Sequence, residues 1–105
     1  MKPVAPVFGK HPDVIDVGER IVASGTAEPN VKVVFFLAHG DDPEKYSAVT
    51  SDSDGSFMFV SDQGTKEGVY RLRAAVQDIN GKMSAFDRIT ITARRQGLAD
   101  RKSVV

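Results

Sequence analysis

The run Ser51-Asp52-Ser53-Asp54-Gly55-Ser56-Phe57-Met58-Phe59-Val60, followed by Glu67-Gly68-Val69-Tyr70-Arg71-Leu72-Arg73-Ala74-Ala75-Val76, constrains the fold of this chain more than any other feature. An Asp-Gly turn feeds an alternating aromatic run, and a glycine then opens a second alternating run. This is how a sequence encodes antiparallel strands joined by tight turns. Alternation turns Phe57 and Phe59 inward. In the longer run it separates Tyr70, Leu72, Ala74 and Val76 from Arg71, Arg73 and Ala75, which it places outside.

The rest of the chain follows the same period. Val14, Ile15 and Val17 precede a Gly18-Glu19 turn, and a short strand from Arg20 to Ser24 points Ile21 and Ala23 one way. Gly25 to Asn30 is a turn. Val31 to Ala38 is the strongest strand, with Val31, Val33, Phe35 and Leu37 on one parity and Lys32, Val34, Phe36 and Ala38 on the other. Lys32 assigns the even parity to solvent, which leaves Val34 and Phe36 on an outer face unless a neighbour covers them. His39 to Lys45 reads as a loop, Tyr46 to Thr50 as an edge strand, and Asn80-Gly81 as a hairpin turn. The last strand, Ala85 to Ala93, buries Ile89, Ile91 and Ala93 and turns out Arg88, Thr90 and Thr92.

These elements predict an all-β protein, an immunoglobulin-like antiparallel β-sandwich of about seven strands. The expected core holds Val33, Phe35, Phe57, Tyr70, Leu72, Val76 and Ile91. Residues 13–93 form the sandwich. Residues 1–12, with Pro3, Pro6, Gly9 and Pro12, are an extended lead-in, a linker or an edge strand, since proline cannot donate to a central ladder. Residues 94–105 are a flexible basic tail.

Composition narrows the function. A length of 105 residues with 41% hydrophobic content suits one domain with one core. Fourteen basic residues offset fourteen acidic ones, so no overall field draws the chain to nucleic acid or to an anionic membrane. Cysteine is absent, which removes disulfides, thiolate nucleophiles and thiolate metal sites together. No segment approaches the roughly 20 apolar residues of a membrane helix. Met1-Lys2 is followed by Pro3, Pro6 and Gly9 rather than by the apolar run of a signal peptide.

The order of motifs goes beyond the generic pattern. Gly25-Thr26-Ala27-Glu28-Pro29-Asn30-Val31-Lys32-Val33, then Asp54-Gly55-Ser56-Phe57-Met58-Phe59, then Gly68 to Ala74, then Asp78-Ile79-Asn80-Gly81-Lys82-Met83-Ser84 resembles the bacterial immunoglobulin-like (Big-type) domains of surface and adhesin proteins. The resemblance covers about residues 13–92. It implies an extracellular or cell-surface module, used as a spacer or for adhesion and protein interaction, whose neighbours are other domains of the same chain.

Candidate sites are few. Asp52 and Asp54, with Asp41, Asp42, Asp78 and Asn80, offer oxygen ligands for calcium, but Asp54-Gly55 reads rather as a hairpin whose aspartate supports the bend. No ligand set is complete in one loop, so no metal and no cofactor is expected. His39 beside Gly40-Asp41-Asp42 has the composition of an acid–base or metal site, and also that of a solvated loop histidine. His11 lies far away in sequence. Catalytic residues are not expected: no serine occupies a nucleophile elbow and no Gly-rich phosphate loop is present. Tyr70 is placed like the tyrosine corner of sandwich folds. Gly25, Gly55, Gly68 and Gly81 read as turn residues chosen for positive φ.

The remaining candidate is a surface. Val34, Phe36, Arg71 and Arg73 share one outer face, because the third and sixth of these strands are neighbours in a sandwich. An apolar pair beside two guanidinium groups suits a protein or glycan contact, or else the arginine stems simply shield the pair. The chain is expected to be a non-catalytic interaction module. The alternative is a carbohydrate-binding accessory module of an extracellular enzyme, for which Tyr46 and Phe36 are the outward rings.

Overall fold

The computed structural model describes residues 3–95 as an all-β, immunoglobulin-like sandwich of eight strands, with no helix among them. They are β1 (Val7–Lys10), β2 (Val14–Asp16), β3 (Val22–Thr26), β4 (Lys32–His39), β5 (Lys45–Thr50), β6 (Ser56–Val60), β7 (Gly68–Gln77) and β8 (Asp87–Arg94). One sheet has the order β1-β3-β6, and the other the order β2-β8-β7-β4-β5. All pairings are antiparallel except β2 with β8, which is parallel, so the expectation of a purely antiparallel sandwich is corrected at that edge.

The core is what strand alternation predicts. Val33, Phe35, Phe57, Tyr70, Leu72, Val76 and Ile91 all belong to one buried cluster. Phe35 sits between Phe57 and Phe59, at ring-centroid distances of 5.7 and 5.0 Å, and Phe57 meets Phe8 edge-on at 5.9 Å. Offset and edge-on arrangements of this kind add to area burial. Buried hydroxyls close the strand ends. Ser61 accepts the Ile21 amide at 2.9 Å, Ser84 accepts that of Val76 at 2.9 Å, and Ser51 accepts that of Val31 at 3.0 Å.

The proline-rich start supplies the eighth strand. Pro6 is fully buried, Phe8 enters the core, and the Phe8 amide donates to Asp87 Oδ2 at 2.8 Å, which ties one sheet to the other. A bulge between Phe8 and Lys10 accommodates Gly9 on this edge strand. The sandwich therefore takes in residues ahead of the boundary expected at 13. At the other end, β8 runs to Arg94, and the tail expected from 94 lies outside the described residues beyond Arg95.

Two glycine expectations separate here. Gly55, Gly68 and Gly81 have positive φ, at 88°, 133° and 86°. Gly25 does not. It lies inside β3, where an added Cβ would strike the Val7 carbonyl and the Phe57 ring, so the close approach of β1 and of an aromatic side chain is what requires glycine.

Candidate functional site

Four strands of the five-stranded sheet set the candidate face in register. Tyr46 on β5 lies opposite Phe36 on β4, Phe36 opposite Arg73 on β7, and Arg73 opposite Arg88 on β8. Four side chains thus form one row across the outer face, spanning about 14 Å at the usual strand spacing. The next row holds Ala38, Arg71 and Thr90. Phe36, Arg71 and Arg73 are brought together as the sequence suggests.

Val34 is a correction. It was expected to stand exposed, yet it is fully buried, and so is Ala75, its outward partner on β7. Val34 lies between Ala48 and Ala75 in the sheet. On the same outer face the rings of Tyr46, Phe36 and Phe86 form a cluster. Phe36 meets Tyr46 at 5.4 Å and Phe86 at 6.0 Å, both edge-on. Val34 therefore belongs beneath the face and not on it.

Phe86 lies just after a slip in the ladder. Gln77 pairs with Met83, whereas Ala74 pairs with Asp87, so one extra residue intervenes before β8. Phe86 lies on the same side as Arg88 and Thr90, where its ring meets Phe36. Alternation in Ala85 to Ala93 already carried this signal, because Phe86 shares the parity of Arg88, Thr90 and Thr92. The loop residue Glu44 had no such signal.

Arg73 is held from three directions. Its guanidinium carbon lies 4.6 Å from the Phe36 ring centroid and 4.5 Å from that of Phe86. Its Nη2 and Nε donate to Glu44 Oε1 and Oε2 at 3.0 and 3.3 Å, a two-pronged contact. Arg71 and Arg88 are exposed, and among the described residues neither is paired with a carboxylate. Tyr46 is 55% exposed and borders the row at the sheet edge.

The other expected sites are not assembled. Asp54 Oδ1 accepts the Ser56 hydroxyl at 2.7 Å and the Ser56 amide at 3.0 Å, and these hydrogen bonds hold its carboxyl below the usual carboxylate range. Asp52 Oδ2 accepts the same hydroxyl at 3.2 Å, and Asp78 Oδ1 accepts the amides of Asn80 and Lys82. These acids serve their own turns, and no group of three or more metal-ligating side chains occurs among the described residues. His39 stacks on Tyr70 at 4.2 Å, donates from Nε2 to the Glu67 carbonyl at 3.0 Å, and faces Asp42 Oδ2 from Nδ1 at 3.3 Å. It borders a cleft of about 390 Å³ with Leu37, Asp42, Lys45, Thr65 and Tyr70. Its ring clasps the β4–β5 loop to the start of β7. His11 lies separately, 3.8 Å from Asp13.

A second exposed apolar face lies on the other sheet. Val7, Val22, Met58 and Val60 are all exposed on the outside of the three-stranded sheet. Alternation against the buried Phe8, Ile21, Ala23, Phe57 and Phe59 is the signal that locates it.

No family model matches the sequence, and no curated protein matches it either. Solved structures do share the fold. The chain is similar to the PKD domain of an M14-like peptidase from a Thermoplasmatales archaeon, with a TM-score of 0.62 and 16% identity, over 89% of this chain and 99% of that one. It is also similar to a family 76 glycoside hydrolase from a bovine Bacteroides thetaiotaomicron strain, with a TM-score of 0.54 and 12% identity, over 85% of this chain but 20% of that one. At these identities the likeness defines an immunoglobulin-like sandwich and nothing finer.

Proposed function

We propose that this chain is a non-catalytic, immunoglobulin-like accessory module of a bacterial cell-surface or secreted protein, related to the Big-type domains, and that it works by protein interaction through the outer face of its five-stranded sheet. The observation that carries the reading is the row Tyr46, Phe36, Arg73, Arg88. Tyrosine and arginine are the residue types that dominate binding energy at interfaces, and Arg73 is pre-ordered between two rings. The accessory role is supported by the neighbours: one is the PKD domain of a peptidase, and the other matches over 20% of a glycoside hydrolase. Attachment to such an enzyme favours the second reading, a carbohydrate-binding module with the exposed Tyr46 ring as its platform.

Retention of the labelled chain on the envelope fraction of the producing bacterium tests the proposal. The expected result is retention that falls on replacing Tyr46→Ala together with Arg88→Ala, and survives Val22→Ala on the opposite sheet. No retention, or equal retention by all three proteins, overturns it.

A further inference from the structure

We infer that the occupant of this face is an extended acidic polypeptide segment whose carboxylates are received by Arg71 and Arg88, an assignment that rests on the reading of the face as an interaction surface. Arg73 and Arg88 lie directly opposite each other across β7 and β8, and Arg71 is the diagonal neighbour of Arg88. Like charges placed directly opposite across two strands oppose folding. The chain as a whole has a formal net charge of zero, yet three guanidinium groups share this patch with one acid, Glu44. Folding alone gains nothing from that concentration, whereas an anionic ligand does.

Glu44 shows the docking mode. Its carboxylate meets Arg73 with both oxygens, which is the geometry that guanidinium forks offer to any carboxylate. Arg71 and Arg88 present the same forks without an occupant of that kind among the described residues. Their diagonal separation in the ladder is about 7–8 Å at Cα. Alternate residues of an extended peptide project to one side at about 7 Å, so a Glu-x-Glu segment matches the pair. An acidic glycan fits less well. Arg73 occupies a face of both the Phe36 and the Phe86 ring, which leaves a sugar only the Tyr46 ring at the edge of the row to stack on.

Fluorescence anisotropy with a labelled peptide of alternating Glu and Ser tests the inference, with the Gln-Ser counterpart as control and unlabelled oligogalacturonate as competitor. The expected result is salt-sensitive binding of the Glu peptide alone, weakened at least about tenfold by Arg71→Gln with Arg88→Gln, in a protein that melts no lower than the parent because the like-charge opposition is relieved. The single variant Arg88→Gln, weakened in the same direction, serves if the pair does not fold. Absence of Glu-peptide binding, equal binding by the variants, or preferential binding of oligogalacturonate overturns the inference. If envelope retention still depends on Tyr46 and Arg88 in that case, the ligand class is wrong and the face stands. If retention does not depend on them, the face itself is wrong.

Discussion

The Tyr70 hydroxyl accepts the backbone amide of Lys66 at 2.9 Å, four residues upstream, while the Tyr70 ring remains in the core cluster. This is the tyrosine-corner arrangement that the position of Tyr70 near the start of its strand implied. Replacing Tyr70→Phe keeps the ring and leaves the Lys66 amide without its acceptor. The expected cost is roughly 1 kcal/mol, a fall in melting temperature of about 4–8 °C for a domain of this size. Thermal unfolding followed by circular dichroism checks it, and an unchanged melting point means the hydrogen bond is dispensable.

Leu72→Ala removes a side chain that is 1% exposed. The expected loss is roughly 2–5 kcal/mol. Val34→Ala is the more instructive change, because strand parity marks Val34 as outward whereas it is fully buried. It should cost roughly 2 kcal/mol, well above the half kilocalorie typical of a surface position. Urea unfolding of both variants makes the comparison, and a Val34→Ala protein as stable as the parent would restore the exposed assignment.

Arg73→Ala removes the ion pair to Glu44 and the contacts with two rings. Both contributions are small because Arg73 is about a third exposed, and together they amount to roughly 1 kcal/mol. The variant should also expose Phe36 and Phe86 and bind a hydrophobic dye more strongly. Arg73→Lys should not rescue it, since an ammonium group lacks the planar fork. Full rescue by lysine would show that charge alone matters.

Asp54 is more acidic in the folded chain than in the unfolded one, through the hydroxyl and then the amide of Ser56. Its stabilising contribution is therefore complete above the usual carboxylate range and is lost as pH falls through its lowered folded value. The gap in melting temperature between the parent and Asp54→Asn should be widest near neutrality and close on acidification. A gap that stays constant with pH would show that the Asp54 carboxylate is not the linked group.

Calcium should leave the melting curve unchanged relative to chelator, because Asp52 and Asp54 already accept Ser56 and no third ligating side chain joins them among the described residues. A rise of several degrees on adding millimolar calcium would point back to this turn.

Much of this architecture can be read from period-two alternation, because a strand with one face in a core must segregate its side chains. Val33, Phe35, Phe57, Leu72 and Ile91 follow it without exception. The turns at Gly55, Gly68 and Gly81 were legible for a different reason, since positive φ restricts the residue type. Phe8 was not legible. A single aromatic between Pro6 and Gly9 has no alternation around it, and only the packing of β1 on β3 and the Asp87 carboxylate make that segment a strand.

The candidate face divides in the same way. The sequence by itself determined that Phe36, Arg71 and Arg73 point away from the core, because parity along one strand is a local property. Which of them meet, and what covers them, was decided by the tertiary structure. The register between strands aligned Tyr46, Phe36, Arg73 and Arg88 in one row, and the packing of β7 against β8 set Phe86 against Phe36 and Arg73. Val34, of the same outward parity, is buried between Ala48 and Ala75 on two other strands. Register and cover depend on residues distant in sequence, and no local pattern specifies them.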